Sequence, residues 1–262
     1  MNNRPIGIFD SGVGGLSILD SVKKHLPNES YVYLADQKNY PYGGKSVVEI
    51  QEIAYKVVSF LVSKKVKLVI IACNTVSVNA IKHLRSNFDI PIIAVVPVVK
   101  TISEKSKTKK AAVFTTPATA KSKYLKDLIK KFSNGTKIYT IGNSKLEHLV
   151  EEGIVNGPTV RSTVENSLLT LIEDGVDSIA LGCTHYPFVA TEIKKILGSK
   201  IALYDSGGAI ARRTEYVLAH ENIPSSVKGE DYYYTTGDAV RFRQIAEKLM
   251  KLDLKNVTGV KI

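Results

Sequence analysis

Nine short apolar runs alternate with helix-patterned segments from one end of this 262-residue chain to the other. They are IGIFD (6–10), YVYLAD (31–36), KLVIIAC (67–73), IPIIAVV (90–96), AAVFTT (111–116), KIYTIG (137–142), SIALGC (178–183), IALYD (201–205) and DYYYTT (231–236). Most are nearly continuous rather than alternating, the pattern of strands buried on both faces, as in a parallel sheet. Residues 46–65 carry helical spacing, with Ser46 as candidate N-cap and Lys64 and Lys65 where the helix dipole favours cations. Residues 158–175 open on Pro158 and stop at Gly175, and residues 238–252 open on an Asp238 cap. Strand–helix alternation over the whole length means an α/β fold.

Two local echoes suggest two similar lobes. An apolar strand runs into Asp-Ser-Gly in IFDSGVGG (8–15) and again in LYDSGGA (203–209), and the two cysteines sit in matching settings. The expected architecture is a mostly parallel sheet flanked by helices in each lobe, with the active site in the cleft between them. Residues 1–97 with 208–262 would form the lobe carrying Cys73, and residues 98–207 the lobe carrying Cys183.

At 44% hydrophobic and 23% charged, the chain has ordinary material for a globular core. No apolar run approaches the ~20 residues needed to span a bilayer, and MNNRPIGIFDSG lacks a secretory signal pattern. Two cysteines beside strands make no disulfide framework, so a reducing cytoplasm is the expected compartment. The net charge of +11 reads first as a lysine-coated surface. The densest basic run, KTISEKSKTKK (100–110), has no interleaved aromatic residue and so lacks the stacking platform of a single-strand binder. Nucleic acid is therefore not expected as the principal partner.

Ligands of open α/β sheets bind beyond the carboxyl ends of the strands. The polar residues there are Asp10 and Ser11, Asp36, Cys73 with Asn74 and Thr75, Thr115 and Thr116, Cys183 with Thr184 and His185, and Asp205 and Ser206. A lone cysteine is most often a buried structural thiol; two in nearly matching flanks, LVIIACNTVSV and SIALGCTHYPF, point toward function. Four chemistries stay open: a distant dithiol redox pair, a metal site drawing on Cys183 and His185, a histidine-activated nucleophile, and a pair of acid/base groups. The last uses both thiols. Inverting a carbon needs one group on each face, and a thiol, which in water titrates near ~8.5, serves as base or acid. The turn DSGVGGLS (10–17) places Ser17 where a dinucleotide fingerprint needs its third glycine, and it lacks the Gly-Lys-Ser/Thr of a P-loop. It reads as a tight turn, or as backbone N–H groups facing an anion such as a carboxylate. In NYPYGGKS (39–46), Tyr42 and Gly43 offer a hydroxyl and a backbone N–H.

GIFDSGVGGLSIL, ADQKNYPYG, IACNTVS and LGCTHYPF together resemble the motifs of the glutamate racemases, in the aspartate/glutamate racemase family, over essentially the full chain. The resemblance implies a cofactor-independent isomerase that interconverts L- and D-glutamate without pyridoxal phosphate or metal. Its product would serve peptidoglycan synthesis, hence cell-wall biogenesis and cell shape, and its members suggest a cytoplasmic homodimer. It further implies that Cys73 handles the proton of D-glutamate and Cys183 that of L-glutamate, assisted by Asp10, His185 and an acidic residue that maps to Glu151, next to Glu152. Substrate binding falls to Asp10, Ser11, Tyr42, Gly43, Asn74, Thr75, Thr119, Thr184 and His185. A relative acting on aspartate or a hydantoin is the alternative within enzymes; a nucleic-acid-binding protein and a dithiol redox protein are the alternatives outside that family.

Overall fold

The structure, a computed structural model, describes residues 4–221, 223 and 229–262. The chain divides into two compact units, Met1–Val95 with Gly207–Ile262, and Val96–Ser206.

In the first unit, β1 (Ile6–Asp10), β2 (Tyr31–Ala35), β3 (Leu68–Ile71), β4 (Ile92–Ala94), β9 (Tyr232–Thr235) and β10 (Val257–Gly259) form a sheet of order β10-β9-β2-β1-β3-β4. The second unit contains β5 (Lys110–Thr115), β6 (Lys137–Gly142), β7 (Ser178–Leu181) and β8 (Ala202–Tyr204), in the order β6-β5-β7-β8. Every described strand pair is parallel. The central strands β1, β2, β3 and β7 are buried at every position, which is why their sequences run apolar without alternation. Phe9, Val69 and Ile71 lie in the core of the first unit with Val57, Val58 and Leu61 from the helix Val47–Ser63. Val113 and Ala180 share the second core with Val99, Ile102 and Leu125. Each fully buried Val, Leu, Ile or Phe contributes roughly 1.5–3 kcal/mol.

Helix starts follow local chemistry. Ser46 closes a capping box, its hydroxyl accepting from Glu49 N–H at 3.3 Å while its own N–H donates to Glu49 Oε2 at 2.8 Å. Asp238 Oδ1 accepts from Arg241 N–H at 2.8 Å to start Ala239–Met250. Such caps are worth about 1 kcal/mol each. The helix expected over 158–175 is instead two pieces, Pro158–Leu168 and Thr170–Glu173. Leu169 stays right-handed, but Ile172 N–H bonds to the carbonyl three residues back rather than four, tightening the turn. Both Asp-Ser-Gly turns lead into helices, Leu16–His25 and Gly207–His220, which pack against each other.

One charged pair lies in the first core. Lys67 Nζ meets Glu29 Oε2 at 2.7 Å, with the two side chains 0% and 3% exposed. Glu29 precedes β2 and Lys67 precedes β3, so the pair sits at the amino ends of the strands, away from Asp10 and Cys73 at the other end.

Candidate active site

The carboxyl ends of β1 and β3 gather the first cluster. β1 ends on Asp10, which is fully buried, and the chain turns sharply into the helix Leu16–His25. Gly15 N–H donates to Asp10 Oδ2 at 2.7 Å. A Cβ on Gly15 would lie 2.5 Å from Asp10 Cβ and 2.8 Å from Tyr33 Oη, so only glycine fits this approach. The glycine turn thus commits one N–H to an internal carboxylate.

Cys73 caps the short helix Asn74–Asn79 and is 5% exposed. Its thiol reaches Ser11 Oγ at 3.8 Å. Burial drives this thiol far above its ordinary pKa and the Asp10 carboxylate adds to the rise; the backbone N–H groups of Val76 and Thr75 and the Ser11 hydroxyl pull the other way. Asn74 is buried beside it, with Oδ1 lacking a hydrogen-bond partner among the described residues, and Thr75 is half-buried.

Tyr42 and Gly43 form the single-turn helix Tyr42–Gly44. Tyr42 is 1% exposed and its hydroxyl donates to Asp36 Oδ2 at 2.5 Å. Burial and that carboxylate hold the phenol well above its ordinary range. Asp36 also accepts from Asn39 Nδ2 at 2.9 Å and from Thr236 Oγ1 at 2.7 Å. The Tyr42 hydroxyl thus gives its proton to Asp36 and keeps its oxygen as an acceptor, and Gly43 is exposed.

The second cluster forms after β7. Gly182 N–H donates to Phe114 O at 2.7 Å and Gly182 O accepts from Thr115 Oγ1 at 2.7 Å, fixing the strand end that carries Cys183. Cys183 Sγ lies 3.4 Å from His185 Nδ1, and His185 Nε2 lies 2.6 Å from Glu151 Oε1. All three are buried. Glu151 ends the helix Lys145–Glu151, while Glu152 is exposed. Burial pushes the Cys183 thiol up, and His185 offsets part of that rise. Burial opposes the imidazolium of His185, but Cys183 and Glu151 outweigh it and hold His185 well above its ordinary value. Thr184 is buried in the same turn. Thr119, also buried, lies in the helix Pro117–Lys121 after β5, where Thr116 Oγ1 donates to its hydroxyl at 3.2 Å.

Residue pattern alone does not single out the frame of this cluster. Tyr186, fully buried, donates to Thr115 O at 2.9 Å and also bonds Asn143 O. Asn143 Oδ1 in turn accepts from Leu146 N–H at 2.9 Å at the start of the Glu151 helix. The HYP stretch thus ties His185 and Glu151 to the end of β5. Among the described residues, no group of three or more His, Cys, Asp and Glu is arranged to hold a metal ion.

A stability prediction follows from His185. A raised folded-state pKa stabilises the fold fully below the unfolded value of ~6.5, and the benefit is lost as pH rises through the folded value. Glu151→Gln removes part of the cause. Urea unfolding should show the gap between parent and variant widest near pH 6 and narrowing on alkaline titration; a constant gap would show that Glu151 does not act through the imidazolium.

The Asp/Glu/Hydantoin racemase family signature matches residues 15–214. A glutamate racemase of Deinococcus radiodurans is 39% identical over 245 residues, covering 92% of this chain and 84% of that protein. The crystal structure of a glutamate racemase isoform from Bacillus anthracis superposes with a TM-score of 0.89 at 31% identity, covering 99% of this chain and 98% of that one. The glutamate racemase of Francisella tularensis, solved in complex with D-glutamate, gives a TM-score of 0.85 at 31% identity, covering 100% of this chain and 98% of that one. The chain belongs to the Asp/Glu/Hydantoin racemase family. It is an amino-acid racemase, an isomerase. Among the described residues, no helix is long and apolar enough to cross a membrane.

Proposed function

We propose that this chain is a glutamate racemase in which Cys73 and Cys183 act from opposite faces of one bound glutamate. The observation that carries the reading is the pairing of each thiol with its own proton-handling group at a strand end. Cys73 lies beside Ser11 and Asp10, and Cys183 beside His185 and Glu151. The glutamate racemases among its relatives, one of them bound to D-glutamate, support the choice of substrate.

From D-glutamate, the Cys73 thiolate takes the α-proton and becomes a thiol. The Cys183 thiol then delivers its proton to the other face and becomes a thiolate; from L-glutamate the roles reverse. Burial raises the proton affinity of both sulfurs. A thiolate formed in such a place is a stronger base toward a weak carbon acid than one in water. Asp10 and His185, the latter backed by Glu151, hold and return the protons that reset the thiols. Asp10 receives the substrate ammonium. The two carboxylates are held by Ser11, Asn74, Thr75, Thr119 and Thr184 and by the Gly43 N–H, through charge-assisted hydrogen bonds. Without a cofactor ring to delocalise the carbanion, preorganised dipoles and exclusion of water supply the stabilisation. Asn74 offers its amide N–H groups to a carboxylate, and its buried Oδ1, an acceptor, suits the ammonium group beside Asp10. D-glutamate made in the cytoplasm by a homodimeric enzyme would supply peptidoglycan synthesis.

The test is incubation of D-glutamate with the protein in deuterated water and no added cofactor. The expected product is L-glutamate carrying an α-deuteron. Turnover of aspartate but not glutamate would overturn the substrate, and inversion with full retention of protium, held over many turnovers, would overturn solvent-exchanging thiols.

A further inference from the structure

Nearly all of the chain's net charge lies in one stretch. Residues 100–145 hold twelve lysines and two carboxylates, a net +10 of the chain's +11, so the remaining residues are close to neutral. The two carboxylates, Glu104 and Asp127, each pair with a lysine of the same stretch, Lys100 at 3.8 Å and Lys123 at 2.7 Å.

The fold gathers many of these lysines at one end of the second unit. Lys105 ends the helix Val99–Lys105, and Lys107 and Lys109 lie in the turn that enters β5. Lys130 and Lys131 occupy the last turn of the helix Lys123–Phe132, and Lys137 opens β6. All six are exposed. The two helices pack together, and β5 pairs in parallel with β6 from Lys110↔Lys137 onward. The six therefore share the amino-terminal end of this sheet. Cys183 and Thr119 follow the carboxyl ends of β7 and β5, one strand length of roughly 20 Å away at ~3.3 Å per residue. Nearby, Asp177 is engaged in holding the turn: its Oδ2 accepts from the N–H groups of Lys107 and Thr108 at 2.7 and 2.9 Å. Asp174 stands at the same end, where its carbonyl takes Lys110 Nζ at 2.9 Å.

From this placement we infer that the amino-terminal end of the second unit's sheet docks the phosphate backbone of duplex nucleic acid, without sequence readout, as a property separate from racemisation. Ammonium groups are point charges suited to phosphate contact rather than to bidentate reading of bases. No large exposed apolar residue lies among these lysines in residues 100–145, and the two exposed just before Asp174, Leu169 and Ile172, adjoin the carboxylates of Glu173 and Asp174, a poor anchor on an anionic bilayer, which favours a polyphosphate chain over a membrane surface.

The test is fluorescence anisotropy with a labelled 20-base-pair DNA of mixed sequence, from 50 to 200 mM salt. Six phosphate contacts predict a slope of log K against log salt near −5, at about −0.9 per contact. A variant with Lys105, Lys107, Lys109, Lys130, Lys131 and Lys137 all changed to Gln should lose at least ~100-fold in affinity at 100 mM salt. A charge-matched control with Lys24, Lys56, Lys82, Lys248, Lys251 and Lys255 changed to Gln should lose less than ~5-fold. Thermal unfolding followed by circular dichroism checks that both variants fold, and racemase turnover should be unchanged in each. Equal losses in the two variants would mean that net charge alone drives binding and would overturn the inference. So would absence of binding at 50 mM salt, or tighter binding to phosphatidylglycerol vesicles than to the duplex.

Discussion

Cys73→Ala is expected to lower glutamate racemisation by at least ~10³-fold in both directions, and Cys183→Ala to do the same, because a positioned acid or base contributes typically ~10²–10⁴-fold and inversion needs one on each face. The two variants should differ in what they retain. With Cys73 gone, Cys183 still removes and returns the proton of L-glutamate on one face. That variant should wash deuterium into the α-position of L-glutamate without inversion and leave D-glutamate inert; Cys183→Ala should show the mirror pattern. Proton NMR of each enantiomer in deuterated water reads both quantities. Full racemase activity in either single variant would sink the two-thiol mechanism. The thiols lie at 5% and 6% exposure, so truncation to alanine removes little more than the sulfur and should leave the fold intact.

The largest loss of stability should come from Lys67→Met. This change takes the ammonium counter-charge from the Glu29 carboxylate, which lies in the first core with only 3% of its side chain exposed. Removing one partner of a buried ion pair costs about 3–5 kcal/mol, because the remaining charge keeps its desolvation penalty without its counter-charge. Glu29→Gln should cost a similar amount by taking the carboxylate counter-charge from the Lys67 ammonium. Replacing both residues together by Met should be near neutral, since the penalty and the attraction leave at once. Urea unfolding of the three variants forms a double-mutant cycle. Additive losses would show that the pair is not coupled. Racemase kinetics of folded Lys67→Met should stay normal, as the pair lies at the strand ends away from Asp10 and Cys73.

The strands were legible because strands buried on both faces have to be written as apolar runs; β1, with Ile6, Ile8 and Phe9 all at 0% exposure, is the clearest. β10 is not legible, for the opposite reason. It is an edge strand whose Val257 is half-buried and whose Thr258 and Gly259 are exposed, so no apolar run marks it. The break at Leu169 is a shift in hydrogen bonding within right-handed backbone, which no residue type signals. At the site, strand-end position picked out the cysteines and Asp10. Helical phase separates Glu151 from Glu152: Leu146, Leu149, Val150 and Glu151 are buried and Glu152 is not. The engagement of Tyr42 with Asp36 was hidden because it depends on a carboxylate six residues back, itself fixed by Thr236 from a distant part of the chain.

That bond to Thr236 bears on the order in which the molecule can be made. The second unit is one unbroken stretch, Val96–Ser206, whereas the first draws β9 and β10 from the segment Gly207–Ile262. On a ribosome adding ~5–20 residues per second, the stretch with Cys183 is complete while the sheet with Cys73 still waits several seconds for its missing edge. Until then β2 presents an unpaired flank, and Asp36 lacks the threonine that helps hold it under Tyr42. A nascent chain therefore finishes its surroundings for one thiol well before the other; a product cut short between Thr235 and Val257 loses β10, and one cut short before Tyr232 loses β9 as well.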